Sequence, residues 1–265
     1  MHGRKQPQIR WLVRKLSTMG AFSHVLDIGG GRGDLAVLIA QTFPHTFVTV
    51  VDANISSLRQ GKLFAKRCGE EVYRRIIFVC ARFEVNFSFD GAHILSDADL
   101  DHVDDTTTTS SPILPGGNDR HAVASTAVPT IDLVVALHAC GGLSDLALHH
   151  AATHHCQFLV CPCCYLKTPY CMPSSASAPI VPLTAESAPS EDVYVERLAL
   201  LRLAESDSRA CSLRASHIVN SQRLTALDSI LKSASQGANK SWNMQLSEFS
   251  KDFSLRNLVL SSTLA

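Results

Sequence analysis

The sequence predicts an α/β fold built on one mostly parallel sheet. Three observations carry this. A short apolar run, Val25–Ile28, leads into four glycines within five positions (Gly29, Gly30, Gly31, Gly33), and an apolar stretch at helical spacing follows from Leu35. Further apolar runs, at 46–51, 75–80, 131–137 and 156–161, are separated by segments with helical periodicity, the alternation that feeds a parallel sheet. Finally, two alternating segments, Trp242–Phe249 and Asn257–Ser261, close the chain as an antiparallel pair. The 265 residues are read as one domain with two low-complexity insertions.

Taken in order, Gln8–Met19 is predicted to be a helix, with Ile9, Leu12, Val13 and Leu16 on one side and Arg10, Arg14 and Lys15 on another. Its basic side either faces solvent or forms a lip beside a ligand. His24–Ile28 is the first strand, followed by the glycine turn and a helix. Thr46–Val51 is the second strand, with Asp52 at its end; Ile55–Arg67 is a helix, and Arg75–Cys80 the third strand, running into Ala81 and Arg82. Residues 86–130 change character: scattered aspartates, then Thr106–Ser111 and Pro115-Gly116-Gly117, suit a disordered insertion. The sheet resumes at Ile131–Leu137, with His138-Ala139-Cys140-Gly141-Gly142 next and a helix over Leu143–Ala152. Cys156–Cys161 is the fifth strand, ending in Pro162-Cys163-Cys164-Tyr165. Met172–Ser190, rich in Ser, Ala and Pro, is the second insertion. Helices are expected over Val193–Ala204 and about Cys211–Ser233.

Composition narrows the partners. With 24 basic and 24 acidic residues the formal charge is zero, which speaks against a globally basic nucleic-acid binder or a highly charged membrane-surface protein. No apolar run approaches the ~18 residues of a membrane span, and Arg14 and Lys15 interrupt the one apolar stretch that could have served as a signal peptide. A basic, acid-free start could pass for a transit peptide; a basic helix is the plainer reading. Of the nine cysteines, Cys80, Cys140 and Cys161 lie in or beside apolar strands, as reduced thiols of a cytoplasmic protein would.

The glycine turn is the first candidate site. A glycine loop between strand and helix lets a ligand meet backbone N–H groups and a helix N-terminus directly. A dinucleotide fingerprint can be laid on Gly31, Gly33 and Ala36, with Asp52 downstream, which leaves a nicotinamide-dependent oxidoreductase as one reading. The pattern Asp27-Ile28-Gly29-Gly30-Gly31-Arg32-Gly33 fits better the first motif of S-adenosylmethionine-dependent methyltransferases. Asp27 would help hold the amino group and Gly29, Gly31 and Gly33 would admit the methionine end. Asp52 would take both ribose hydroxyls, and Arg82 stands where such folds contact adenine. At the other strand ends His138 is the candidate base, its ordinary pKa being close to working pH, with Cys164 and Tyr165 shaping the acceptor pocket. Cys161, Cys163 and Cys164, with Cys140, Cys156, His154 and His155 near in sequence, raise the question of zinc, and the vicinal thiols that of a redox pair. Cys161-Pro162-Cys163-Cys164 on one strand end offers no metal-binding turn, so no metal site is expected.

The segment from Leu133 to Leu148, with its His138-Ala-Cys140-Gly-Gly core, and Cys161-Pro-Cys-Cys164-Tyr165 closely resemble the methyltransferase domain of glutathione S-transferase C-terminal domain-containing proteins. More distantly they resemble Trm-thirteen-type tRNA 2′-O-methyltransferases. The resemblance runs from about Arg4 to Leu260, skips both low-complexity stretches, and includes Val219–Leu224 and Phe253–Leu260. It implies a Rossmann-like, seven-stranded class I methyltransferase sheet, S-adenosyl-L-methionine as cofactor, and an RNA or protein acceptor. The zinc modules of the tRNA enzymes and the transferase-like portion of the named family have no counterpart in the sequence. A non-catalytic S-adenosylmethionine-binding module is the other reading.

Overall fold

The computed structural model describes residues 5–100, 130–173, 178–234, 241–254 and 257–264. Helix α1 (Lys5–Leu16) precedes strand β1 (His24–Ile28), helix α2 (Asp34–Thr42), strand β2 (Phe47–Asp52), helices α3 (Ile55–Arg67) and α4 (Glu70–Tyr73), and strand β3 (Ile76–Cys80). A two-residue strand β4 (His93–Ile94) and a 3-10 turn (Ala98–Leu100) follow. After the undescribed 101–129 come β5 (Leu133–Ala139), α5 (Gly142–Thr153), β6 (Gln157–Pro162) and a small pair, β7 (Tyr170–Cys171) and β8 (Val181–Pro182). Helices α6 (Glu191–Ala204) and α7 (Arg209–Ala234) lead into the closing strands β9 (Trp242–Glu248) and β10 (Leu258–Leu264).

The sheet order is β4-β3-β2-β1-β5-β6-β10-β9. Strands β3, β2, β1, β5 and β6 run parallel; β10 is antiparallel to β6 and to β9, and β4 to β3. The five parallel strands are apolar on both faces because each face is covered by helices. Alternation assigns the faces: Val25, Val48, Val50, Leu133 and Val135 pack with α1, α2 and α3, while Leu26, Ile28, Val51, Val134 and Ala136 pack with α5 and α7. Strand β1 has β2 on one side and β5 on the other, so the winding reverses between β1 and β5. In open α/β sheets ligands bind beyond the carboxyl ends of the strands at such a reversal.

Three expectations are corrected. The sheet has eight strands rather than seven, because β4 adds an edge strand from within the stretch read as an insertion. Residues 86–100 are packed: Leu95 is 3% exposed, its N–H donates to the Phe78 carbonyl, and Lys62 Nζ donates to the Leu95 carbonyl at 2.6 Å. Both β4 residues are exposed, so no apolar alternation marks the strand; one buried leucine among aspartates anchors it. The 101–129 part of that insertion lies outside the described residues. Likewise Met172–Ser190 is not free of structure, since Ile180 is 2% exposed in the α5–α7 core and β8 pairs with β7; residues 174–177 lie outside the description.

Candidate functional site

The turn after β1 is built for close approach. Gly29, Gly31 and Gly33 take φ of +69°, +55° and +66°, the left-handed region that side-chain-bearing residues avoid. Gly30 lies directly over Asp27, and a Cβ there would sit 2.5 Å from Asp27 Oδ2. Asp27 itself is 1% exposed, and neither carboxylate oxygen has a hydrogen-bond partner. A buried unpaired carboxylate is costly, and the protein answers by holding the proton: burial, then the Asp52 charge, push the Asp27 carboxyl up to about 7.

Asp52 ends β2 on the same rim. Its Oδ2 accepts the Gly31 N–H at 3.0 Å and its Oδ1 accepts the Asn54 N–H at 2.8 Å. Each oxygen keeps further acceptor capacity. Two clefts flank the glycine turn and share Gly29. The larger, about 600 Å³, runs past Asp52, the Ala81–Asn86 segment after β3, and then Cys140, Lys167, Thr168 and Tyr170. The smaller, about 310 Å³, contains Asp27, Gly29, Gly30, Gly31 and His138, with Lys5 and Ile9 of α1 at its edge. Arg82 lines the larger cleft with its side chain 80% exposed. Of the expected basic lip only the end of α1 reaches the rim, through Lys5; Arg10, Arg14 and Lys15 are not lining residues.

His138 occupies an irregular position. Strand β5 shifts register against β6 between Leu137 and Ala139, and His138 at this bulge has φ +61°. The bulge turns the histidine out of strand alternation and toward the Asp27 cleft, a usual role of bulges beside sites. Nε2 is buried without a partner. Burial, then nearby Lys5, hold the imidazole below its ordinary pKa of 6.5, so it is neutral and able to accept a proton.

The two remaining sequence candidates lie elsewhere. Tyr165 does not line either cleft beside the glycine turn. It is 2% exposed and packs against α6 and α7, its hydroxyl accepting from Asn220 Nδ2 at 3.1 Å. The Arg223 guanidinium lies 5.5 Å from its ring centroid, donates to Asn220 Oδ1 at 2.9 Å, and forms a buried ion pair with Asp145 at 2.7 Å. The tyrosine therefore fastens the loop after β6, and the cavity it does line, about 230 Å³ beside Glu205, Arg209 and Ser212, is a separate one. The sequence marked it as functional because it follows two cysteines, and nothing local announces a partner 55 residues away.

Cys164 lines neither cleft; its Sγ lies 3.6 Å from that of Cys140, which does line the larger one. The third sulfur, Cys163, is 2.8 Å from Cys140 and 3.8 Å from Cys164. Burial and its sulfur neighbours push the Cys163 thiol well above its ordinary range. Two glycines bring the strand ends this close. Gly141 donates to the Cys164 carbonyl at 3.1 Å and Gly142 to that of Lys167 at 2.9 Å, and a Cβ on either would overlap the backbone of Lys167 or Thr168. From the far side the Glu205 carboxylate accepts the N–H groups of Tyr165 and Leu166. Lys167, Thr168 and Tyr170 went unrecognised in the sequence, since irregular loop residues carry no period.

Residues 6–168 match the model of a family described as a methyltransferase domain. The chain belongs to this family. The matched segment takes in the parallel strands from β1 to β6 and the glycine turn after β1. Among curated relatives it is 24% identical over 163 residues to the glutathione S-transferase C-terminal domain-containing protein of Homo sapiens, covering 61% of this chain and 19% of that protein. The Mus musculus counterpart is 25% identical over the same coverage. The chain thus spans about a fifth of the length of these relatives. Similar solved structures include a fibrillarin/Nop5p complex, with 8% identity, TM-score 0.48, and coverage of 98% of this chain and 82% of that one. The methyltransferase domain of bacterial CtHen1-C is also similar, with 12% identity, TM-score 0.45 and coverage of 98% of both chains.

Proposed function

We propose that the glycine-turn clefts hold S-adenosyl-L-methionine and that the chain passes its methyl group to a nucleophile admitted at the same rim. The observation that carries this is Asp27: a buried carboxylate with two unpaired oxygens, walled by glycines, calls for a cationic donor. An α-ammonium group supplies both charge and N–H donors, so the residues present fit the cofactor of the family. A nicotinamide dinucleotide brings no such group to the first glycine turn.

The bound cofactor supplies an electrophilic methyl on a sulfonium. Asp52 accepts hydroxyl hydrogens from a ribose, already fixed by the Gly31 and Asn54 N–H groups. Gly29, Gly31 and Gly33 keep side chains out of the way, and Ala81, Arg82 and Phe83 border the base. Methyl transfer is an in-line displacement, so positioning is most of catalysis. His138 Nε2 takes the acceptor's proton where the nucleophile is a hydroxyl or protonated nitrogen. All nine cysteines are free thiols, which supports placing the chain in the cytoplasm, a reducing compartment.

Calorimetry with S-adenosylmethionine, its demethylated product and NAD tests the cofactor reading; binding of NAD with neither of the others overturns it. Labelled methyl donor offered to RNA and protein fractions then identifies the acceptor class by where the label goes. With that acceptor, His138→Ala and His138→Asn should each lower turnover roughly 100- to 10,000-fold. Cofactor affinity should stay within a few fold. Because the imidazole is held below its ordinary pKa, the acidic limb of the rate profile should fall below pH 6.5.

A further inference from the structure

Cys140, Cys163 and Cys164 come from two different strand ends, one after β5 and two after β6. Their sulfur atoms all lie within 4.8 Å of one another. The convergence is imposed rather than incidental. Gly141 and Gly142 press the start of α5 onto residues 164–168 at distances no side chain would allow. Glu205 holds the loop by two backbone N–H groups, and the Asp145–Arg223–Asn220–Tyr165 network ties that loop to α5 and α7.

We propose that these three thiols are a binding site for a thiophilic, tetrahedral divalent cation of the zinc class, with its fourth position open. Zinc–thiolate bonds of about 2.3 Å at tetrahedral angles set neighbouring sulfurs about 3.8 Å apart. Two of the three separations, 3.6 Å and 3.8 Å, already meet that spacing. The third, 2.8 Å between Cys140 and Cys163, has to open by about 1 Å, roughly what a rotamer adjustment at one cysteine provides. Among the described residues no further histidine, cysteine or carboxylate joins the group. Three protein ligands with a free fourth position is the arrangement of an exchangeable rather than a closed structural zinc site. Cys140 also lines the 600 Å³ cleft, so a ligand in that cleft is beside the metal. The inference stands on the thiol geometry and holds whether or not the cleft binds S-adenosylmethionine.

The test uses untagged full-length chain, reduced and then freed of reductant without oxygen. Zn²⁺ titrated against a chromophoric chelator should load one equivalent. Co²⁺ should give intense visible bands of tetrahedral cobalt together with thiolate-to-metal charge transfer in the near ultraviolet. Cys140→Ser, Cys163→Ser and Cys164→Ser should each weaken affinity at least tenfold, while Cys68→Ser and Cys211→Ser leave it unchanged. Far-ultraviolet circular dichroism on each variant separates lost ligands from lost fold, and the cobalt spectrum of the unaltered chain needs no variant. Weak octahedral cobalt bands overturn the proposal. So does a Cys140–Cys163 disulfide whose reduction restores no metal uptake, or affinity that survives all three substitutions. Cofactor calorimetry on the same samples fails independently if the reading of the glycine turn is the one at fault.

Discussion

Asp27 sits where its charge is unwelcome until a cation arrives, and that conflict has measurable signs. Its pKa in the folded chain is about 7 against 3.8 when unfolded, so the folded state binds the proton more tightly. Stability from this group is therefore complete below pH 4 and is lost as pH rises from about 4 to about 7. The total is on the order of 4 kcal/mol. Asp27→Asn should flatten that fall, raising the thermal midpoint of the cofactor-free protein near pH 8 while weakening S-adenosylmethionine at least tenfold. In the unaltered chain, cofactor affinity should rise as pH climbs toward 7, because binding needs the carboxylate. A midpoint indifferent to pH in both proteins would mean the carboxylate is solvated. Gly30→Ala acts on the same residue from above, forcing a methyl against Asp27 Oδ2 and Val50 Cγ1, and should abolish binding, with circular dichroism separating a blocked site from a lost fold.

At the scale of elements, the site depends on two loops braced by α7. Removing one partner of a buried ion pair leaves an uncompensated charge, so Arg223→Ala should cost roughly 3–5 kcal/mol in chemical denaturation. A cost below about 1 kcal/mol would show that the Asp145 pair is solvated rather than buried. The parallel strands and the helices that cover them were legible because burial on both faces writes continuous apolar runs, as in Leu133–Leu137, and the glycine turn was legible because four glycines crowd one corner. The position of Tyr165 away from the glycine-turn clefts is not legible, because a side chain's direction is set by tertiary partners, here Asn220 and Arg223, far along the chain. The closeness of the three thiols is hidden from the sequence for a related reason. Spacing shows which cysteines are available, whereas the approach of Cys140 to Cys163 and Cys164 is set across the sheet by Gly141 and Gly142.

For the whole molecule, a ligand that binds only the folded state raises stability by mass action. At a hundred times its dissociation constant the demethylated cofactor should add about 2.7 kcal/mol, a shift of roughly 5–10 °C in midpoint for a chain of this size. No shift at that concentration would contradict binding at the glycine turn. The edge contributed by β4 is tested by Leu95→Ala, which should cost about 2–5 kcal/mol if residues 86–100 belong to the core. The brace around the second rim also bears on how the protein is made. Every residue lining the two clefts lies before position 171, yet Glu205, Asn220, Arg223 and the strand that covers β6 come later in the chain. A ribosome delivers them after the cleft residues. The nascent chain thus carries a chemically complete cleft with an unfastened rim and an open sheet edge until α7 and β10 emerge. Chains stopped near residue 190 should contain all the cofactor contacts and bind none of it, and affinity should appear abruptly once the length passes β10.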